Sequence, residues 1–195
     1  MAASPVSIAN RAIQILGSSD TIASLSEDSP NARSMNRVYE PLRQALLRKY
    51  RWGFAIQRAS VAADGDQTLF GELNKYYLPN DYLRLLRDVD MPDYRKDWKI
   101  EGDTTGPHIV SDEASPLEFR YIADVTDATR MDALFREALA HYMAHETCNE
   151  VTGSTSRKAD IKDDMNTVIN DAKAAGSIEE DPQENLDDDW LIARL

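Results

Sequence analysis

Four residues between positions 137 and 148 carry side chains that bind metals or move protons: Glu137, His141, His145 and Cys148. On a helix turning about 100° per residue they share one quadrant. The first chemistry to weigh is therefore a metal centre, since imidazole, carboxylate and thiolate are the usual zinc ligands. His141 and His145, one turn apart, can clasp one ion. Glu137 and His145, however, are separated by about 12 Å along the axis at ~1.5 Å per residue, so one ion cannot take all four. Further ligands must come from elsewhere, and His108 is the only other histidine. The order HYMAHE is also not the HExxH of a zinc protease. Two polar histidines at an interface is the simpler account. A small soluble metal-binding hydrolase using His141/His145 is the alternative.

Other catalytic patterns are weaker still. The 8 glycines never form GxGxxG, and none precedes a lysine as a phosphate loop needs. There is no GxSxG nucleophile elbow, and nothing positions a Ser–His–Asp site. The single cysteine allows no internal disulfide. The expectation is a protein that is not an enzyme, with no catalytic residue, no cofactor and no metal site.

The elements that carry these residues are mostly helical. Ser4 caps a first helix with Pro5 at its first position and Gly17 at its end; Val6, Ala9, Ile13 and Leu16 are its apolar stripe. A polar linker with Ile22 and Leu25 as apolar pegs follows. Ser29 and Pro30 start a second helix through Ala32, Met35, Val38, Leu42, Leu46 and Leu47, with a kink expected at Pro41. Its basic residues Arg33, Arg37, Arg43, Arg48 and Lys49 read as a solvated or intersubunit face. The first two helices stand about a dozen residues apart, too far for the 3–4-residue turn of a helix-turn-helix.

From Trp52 to about Val125 the period shortens. WGFAIQRASV, KYYLP, YLRLLRDV, WKIEG, PHIVSD and LEFRYI are short, aromatic or β-branched, and set apart by turn residues. In the last of them Leu117, Phe119 and Tyr121 alternate with Glu118 and Arg120. The spacing predicts an antiparallel meander, with no room for βαβ crossovers. A third helix, capped at Thr126 or Asp127 and reaching about Val151, is apolar almost all round and therefore central. Gly153 and Ser154 turn it into a last helix that stops at Gly176, an αα-hairpin. The fold class expected is α+β, mainly helical: an antiparallel bundle of about four helices with an inserted antiparallel β module. The boundaries are 1–51 and 126–176 for the two halves of the bundle, 52–125 for the module, and 177–195 for an acidic C-terminal tail.

The chain has 195 residues, 42% of them hydrophobic and 29% charged, which is ordinary globular material and enough for one domain. Its net charge is −12, which argues against gripping duplex phosphates. The charge is also uneven. Residues 1–60 hold 8 basic and 4 acidic side chains, whereas 126–195 hold 7 and 16. Such polarity suits differently charged ends of a subunit or complementary faces in an assembly. No secretory signal or membrane span is expected, which points to a cytoplasm-like compartment.

Three stretches taken together carry a resemblance: IANRAIQILG, then SLSEDSPNARSMNRVYEPLRQALLRKYRWGFA, then YYLPNDYLRLL. The recurring features are Leu16-Gly17, Asp28-Ser29 with Ala32, Tyr39, Leu46-Leu47 leading into Trp52-Gly53-Phe54-Ala55, and the turn of Tyr76, Leu78, Pro79 and Asp81. In this order and spacing they resemble the tail tubular protein A family, the head-to-tail adaptors (connectors) of short-tailed phages. WKIEGDTTGPHIVSDEASPLEFRYIADV is similar to the β region of that family. The likeness covers most of residues 5–150, with Tyr50-Arg51 standing where a His-Pro is common, and the stretch after Gly176 aligns with nothing in it.

The resemblance implies a structural virion protein. It implies a homo-oligomeric ring, usually a dodecamer, under the portal vertex, binding the phage portal protein above and a tail tubular protein B-like tail nozzle below. Localisation is then the virion tail, after assembly in the host cytoplasm. DNA passes through such a ring without sequence-specific binding, and a negative lumen suits that role because it repels phosphate. The tail from Ser177 to Leu195 holds seven acidic residues and then Trp190, Leu191, Ile192 and Leu195. As a docking arm it would bury those four apolar side chains in a neighbouring subunit or the portal. As a solubilising end it would bury nothing.

Overall fold

The structure, a computed structural model, describes residues 3–65, 68, 71–86 and 98–178. Four helices hold most of the core: α1 (Pro5–Ile15), α2 (Pro30–Lys49), α3 (Ala133–Thr152) and α4 (Thr155–Ile178). Between α2 and α3 the described residues form six strands: β1 (Ile56–Val61), β2 (Asn74–Tyr77), β3 (Tyr82–Leu86), β4 (Trp98–Gly102), β5 (Pro107–Ser111) and β6 (Leu117–Ala123). The expected α+β class, a helical bundle with an antiparallel β insertion, is what the chain adopts. Among the described residues no helix is long and apolar enough to cross a membrane.

Helix starts follow the local chemistry. Ser4 and Ser7 form a reciprocal cap: the Ser7 N–H donates to Ser4 Oγ at 3.1 Å and the Ser4 N–H to Ser7 Oγ at 3.0 Å. The Ala32 N–H donates to Ser29 Oγ at 3.3 Å, so α2 also begins at its serine-proline pair. Gly17 ends α1 with φ +77°, a conformation that side chains with a Cβ resist. Asn10 then ties down the linker by bonding both backbone groups of Ile22, at 2.8 and 3.0 Å. α2 runs unbroken through Pro41.

Two helix ends differ from expectation. α3 is capped by Asp132, which accepts from the N–H groups of Leu134 and Phe135 at 2.7 and 3.3 Å. Asp127 closes a separate turn instead, accepting from the Thr129 N–H and hydroxyl. Both aspartates are competent caps, so the tertiary path of 126–131 decides between them. α4 passes through Gly176 to Ile178 because that glycine keeps a negative φ and so does not terminate the helix.

α3 is the central helix and packs against α1, α2 and α4. Its buried residues include Phe135, Leu139, His141, Met143 and Cys148, and Leu134 is exposed.

The insertion is not a meander. It forms two three-stranded antiparallel sheets, ordered β1-β6-β3 and β2-β5-β4. Ile56 faces Ile122 in the first, and Tyr76 faces Ile109 in the second. The turn at Pro79-Asn80-Asp81 carries the chain from one sheet to the other, with the Tyr82 N–H donating to Pro79 O at 2.9 Å. A turn signal marks where a strand ends, not which sheet the next one joins. Strand β6 shows the resulting layers. Leu117, Phe119 and Tyr121 face a core shared with Tyr76 and Ile109 of the second sheet, while Ile122 joins the helical core beside Leu86.

Candidate functional site

The four residues first singled out do not converge. Glu137 is held by Arg11 of α1 through a bidentate pair, Nε to Oε1 at 3.0 Å and to Oε2 at 3.1 Å, with Nη2 to Oε1 at 2.7 Å. This guanidinium keeps the Glu137 carboxyl below its usual pKa, against the opposing effect of burial. His141 Nε2 lies 3.4 Å from the same Oε1, and its Nδ1 is buried with no hydrogen-bond partner. His145 turns to Glu146, 3.2 Å away. Cys148 is buried against the α3–α4 connection, its sulfur 3.5 Å from Thr152 Oγ1 and 3.6 Å from Ser154 O. Helix geometry thus brings Glu137 and His141 together and leaves His145 and Cys148 apart. Among the described residues no group of three or more His, Cys, Asp or Glu side chains is placed to hold an ion.

His108 belongs to the second sheet. It is buried, 3.2 Å from Gly106 O and 3.8 Å from Asp103 Oδ2. Asp103 organises that turn by accepting from Tyr77 Oη at 2.8 Å, from the N–H groups of Thr105 and Gly106, and from Lys75 Nζ at 3.2 Å. These donors, the Tyr77 hydroxyl foremost, hold its carboxyl far below the ordinary aspartate range. The arrangement is a satisfied turn.

The densest set of polar contacts lies where α2 meets α3 and the first sheet. The basic face expected on α2 is here, but it is not simply solvated. Arg37 pairs with Glu150 of α3, which also accepts from Ser34 Oγ at 2.8 Å. Arg43 is 1% exposed and so lies outside any solvated face. Its guanidinium bonds both carboxylate oxygens of Asp124, the Val125 carbonyl at 2.7 Å and Glu40 at 2.6 Å. Burial works against its charge, but the bonds to Asp124 and Glu40 outweigh that and hold its pKa above the usual value. Gln44 Nε2 donates to Asp124 at 2.8 Å. Arg48 donates to Leu83 O of β3, and Arg84 of β3 returns a bond to Lys49 O at 3.3 Å.

A signal for Arg43 existed. It stands four residues after Tyr39 and four before Leu47, within the apolar stripe rather than opposite it. A cation there needs a buried anion, and Asp124 immediately after the strand LEFRYIA supplies it.

Aromatic side chains seal the same junction. Trp52 and Phe54 both meet Phe135 of α3 edge-on, with ring centroids 4.9 and 5.1 Å apart. Trp52 Nε1 donates to Leu46 O at 2.9 Å, fixing the turn from α2 into the short 3-10 helix Gly53–Ala55. Among the described residues, packed rings and a buried ion pair join the helices to the first sheet here. The four apolar residues of the tail, Trp190, Leu191, Ile192 and Leu195, lie outside the described residues. Compared with known proteins, the chain matches no family model and no curated sequence.

Proposed function

We propose that this chain is a structural, non-enzymatic subunit of a phage virion: a head-to-tail adaptor that assembles as a ring between portal and tail nozzle. One observation carries the reading. Many of the residues on which the resemblance rests lie in the two cores. Tyr39, Leu46, Leu47, Trp52 and Ala55 are buried in the helical core, and Tyr76 and Leu78 in the core between the sheets. Asp81 accepts from Tyr121 Oη at 2.9 Å, and its carbonyl accepts from the Asp124 N–H. A motif set spent on packing suits a protein whose work is to present fixed surfaces to neighbours.

Such a subunit packs side by side through its bundle and meets portal and nozzle through its ends. The net charge of −12 per copy makes a ring that repels DNA phosphates, so the strand slides without sticking. The test is to mix purified chain with phage portal and record its mass and its electron micrographs. Twelvefold rings seated on the portal are expected. A small oligomer indifferent to portal and carrying stoichiometric zinc would overturn the reading in favour of the hydrolase that uses His141 and His145.

A further inference from the structure

Positive charge concentrates at one end of the bundle. α4 runs antiparallel to α3 across the Gly153–Ser154 turn, and α2 also opposes α3, since Arg37 near its start reaches Glu150 near the end of α3. The C-terminal ends of α2 and α4 therefore lie together. Lys49 and Lys173 both sit over the Tyr50 ring, their Nζ atoms 5.3 and 4.9 Å from its centroid. Arg84 of β3 lies beside them: burial and then the charges of Arg48 and Arg51 depress its pKa, and its Nε is buried with no acceptor. Among the described residues none of Arg48, Lys49, Arg84 and Lys173 is paired with a carboxylate, whereas Arg11, Arg33, Arg37, Arg43, Lys75 and Lys99 each are. Arg58, Arg130, Arg136, Arg157, Lys158 and Lys162 also lack a carboxylate partner among the described residues; Arg48, Lys49, Arg84 and Lys173 lie together at the end of the bundle from which the acidic segment leaves.

We propose that this cluster is a docking site for an acidic peptide, and that its occupant in the free protein is segment 179–189 of the same chain. That segment carries seven carboxylates between Glu179 and Asp189. It follows directly on α4, whose last described turn ends at Ile178, about 7.5 Å of helix rise beyond Lys173. Eleven residues reach up to ~37 Å when extended, so the cluster is within range of the whole segment. Attachment at that distance holds the carboxylates at an effective concentration of order millimolar. A second copy or a nucleic acid must compete with that advantage, and a nucleic acid also meets repulsion from the segment itself. The inference does not depend on the adaptor reading.

Zero-length carbodiimide coupling of lysine amines to carboxylates reads this contact directly. Full-length chain is mixed at micromolar concentration from equal parts of isotopically light and heavy protein, coupled, and digested for mass spectrometry. Links from Lys49 and Lys173 to residues 179–189 are expected, within one isotope class, and at least threefold fewer in 0.5 M salt, where screening is short-ranged. Lys158, about 22 Å back along α4 from Lys173, should give none. Equal proportions of mixed-isotope links would place the segment on a second copy and overturn the proposal, as would links from Lys158 alone or none to the segment.

A second measurement uses a full-length variant with E179Q, E180Q, D181N and E184Q and a 20-base-pair DNA duplex as polyanion probe. Unmasking the cluster should raise duplex affinity at least tenfold over the wild type, and K49E with K173E should abolish the gain. Equal affinities of wild type and variant would overturn the proposal.

Discussion

Replacing Arg43 by methionine tests whether the junction is held by its buried ion pair. The guanidinium is 1% exposed. Removing it strips the Val125 carbonyl of its donor and leaves Asp124 with Gln44 as its remaining side-chain partner. Deleting one member of a buried pair costs about 3–5 kcal/mol. The Asp124 side chain is 18% exposed and keeps that amide bond, and Glu40, at 61%, returns to water. Both facts put the loss at the lower end, about 3 kcal/mol. With a urea slope of about 2 kcal/mol per molar, the denaturation midpoint should fall by about 1.5 M. Circular dichroism at 222 nm and tryptophan fluorescence should report it together. The double variant R43M/D124L should recover most of the loss, because a packed apolar pair can replace a buried ionic one. R37A is the control: the Arg37 and Glu150 side chains are 63% and 47% exposed, so it should cost under about 1 kcal/mol. If R43M costs no more than R37A, or if the double variant is no better than R43M, the joint is not held as argued.

Tyr121 should titrate late. Burial and then its bond to Asp81 push its pKa up to about 12, so the neutral phenol stabilises the fold fully below the ordinary value of about 10 and that contribution is lost as pH rises through 12. Phenolate absorbance at 295 nm should show a late-ionising component that Y121F reduces; titration of every tyrosine near 10 would contradict the packing described. At the acid end, the lowered Glu137 pKa contributes stability present above the unfolded value of about 4.3 and lost as pH falls through the folded one. Thermal melts should therefore show E137Q less stable than wild type at pH 7, with the gap closing below pH 4. Tyr39 Oη is buried without a partner, so Y39F should match or exceed wild-type stability by about 1 kcal/mol; a loss larger than that would point to a bond the structure does not contain.

Local chemistry was legible and distant pairing was not. Ser4-Pro5 and Ser29-Pro30 name their helix starts because a cap needs only the next three residues. Of the apolar positions Ile161, Met165, Val168, Ile169 and Ala172 that read as the inward face of the last helix, all are buried but Val168, which is partly buried against the core. The alternation of Leu117, Phe119 and Tyr121 likewise describes the inner face of β6. Strand order escaped because the same alternation is compatible with either sheet. The burial of Arg43 was legible in its place on the apolar stripe, but its partner was not: Asp124 is 81 positions away and has no periodic signature. Arg11 holds Glu137 away from His145 and Cys148, a contact that cannot be read from the sequence around position 137.

The alternation of strands between two sheets has a consequence for the order in which the chain can fold. β6 is the middle strand of its sheet, flanked by β1 and β3, and it pairs Ile56 with Ile122 across most of the insertion. Until the ribosome has delivered β6, β1 and β3 have no ladder to join, and α1 and α2 lack the central α3 that buries their apolar faces. Everything from β1 to β6 must therefore be synthesised before the first sheet can close, and α3 before the bundle can. Contacts of that sequence separation carry a large loop-closure cost and fold slowly. The bundle therefore closes after the first sheet has its middle strand, once α3 has been made.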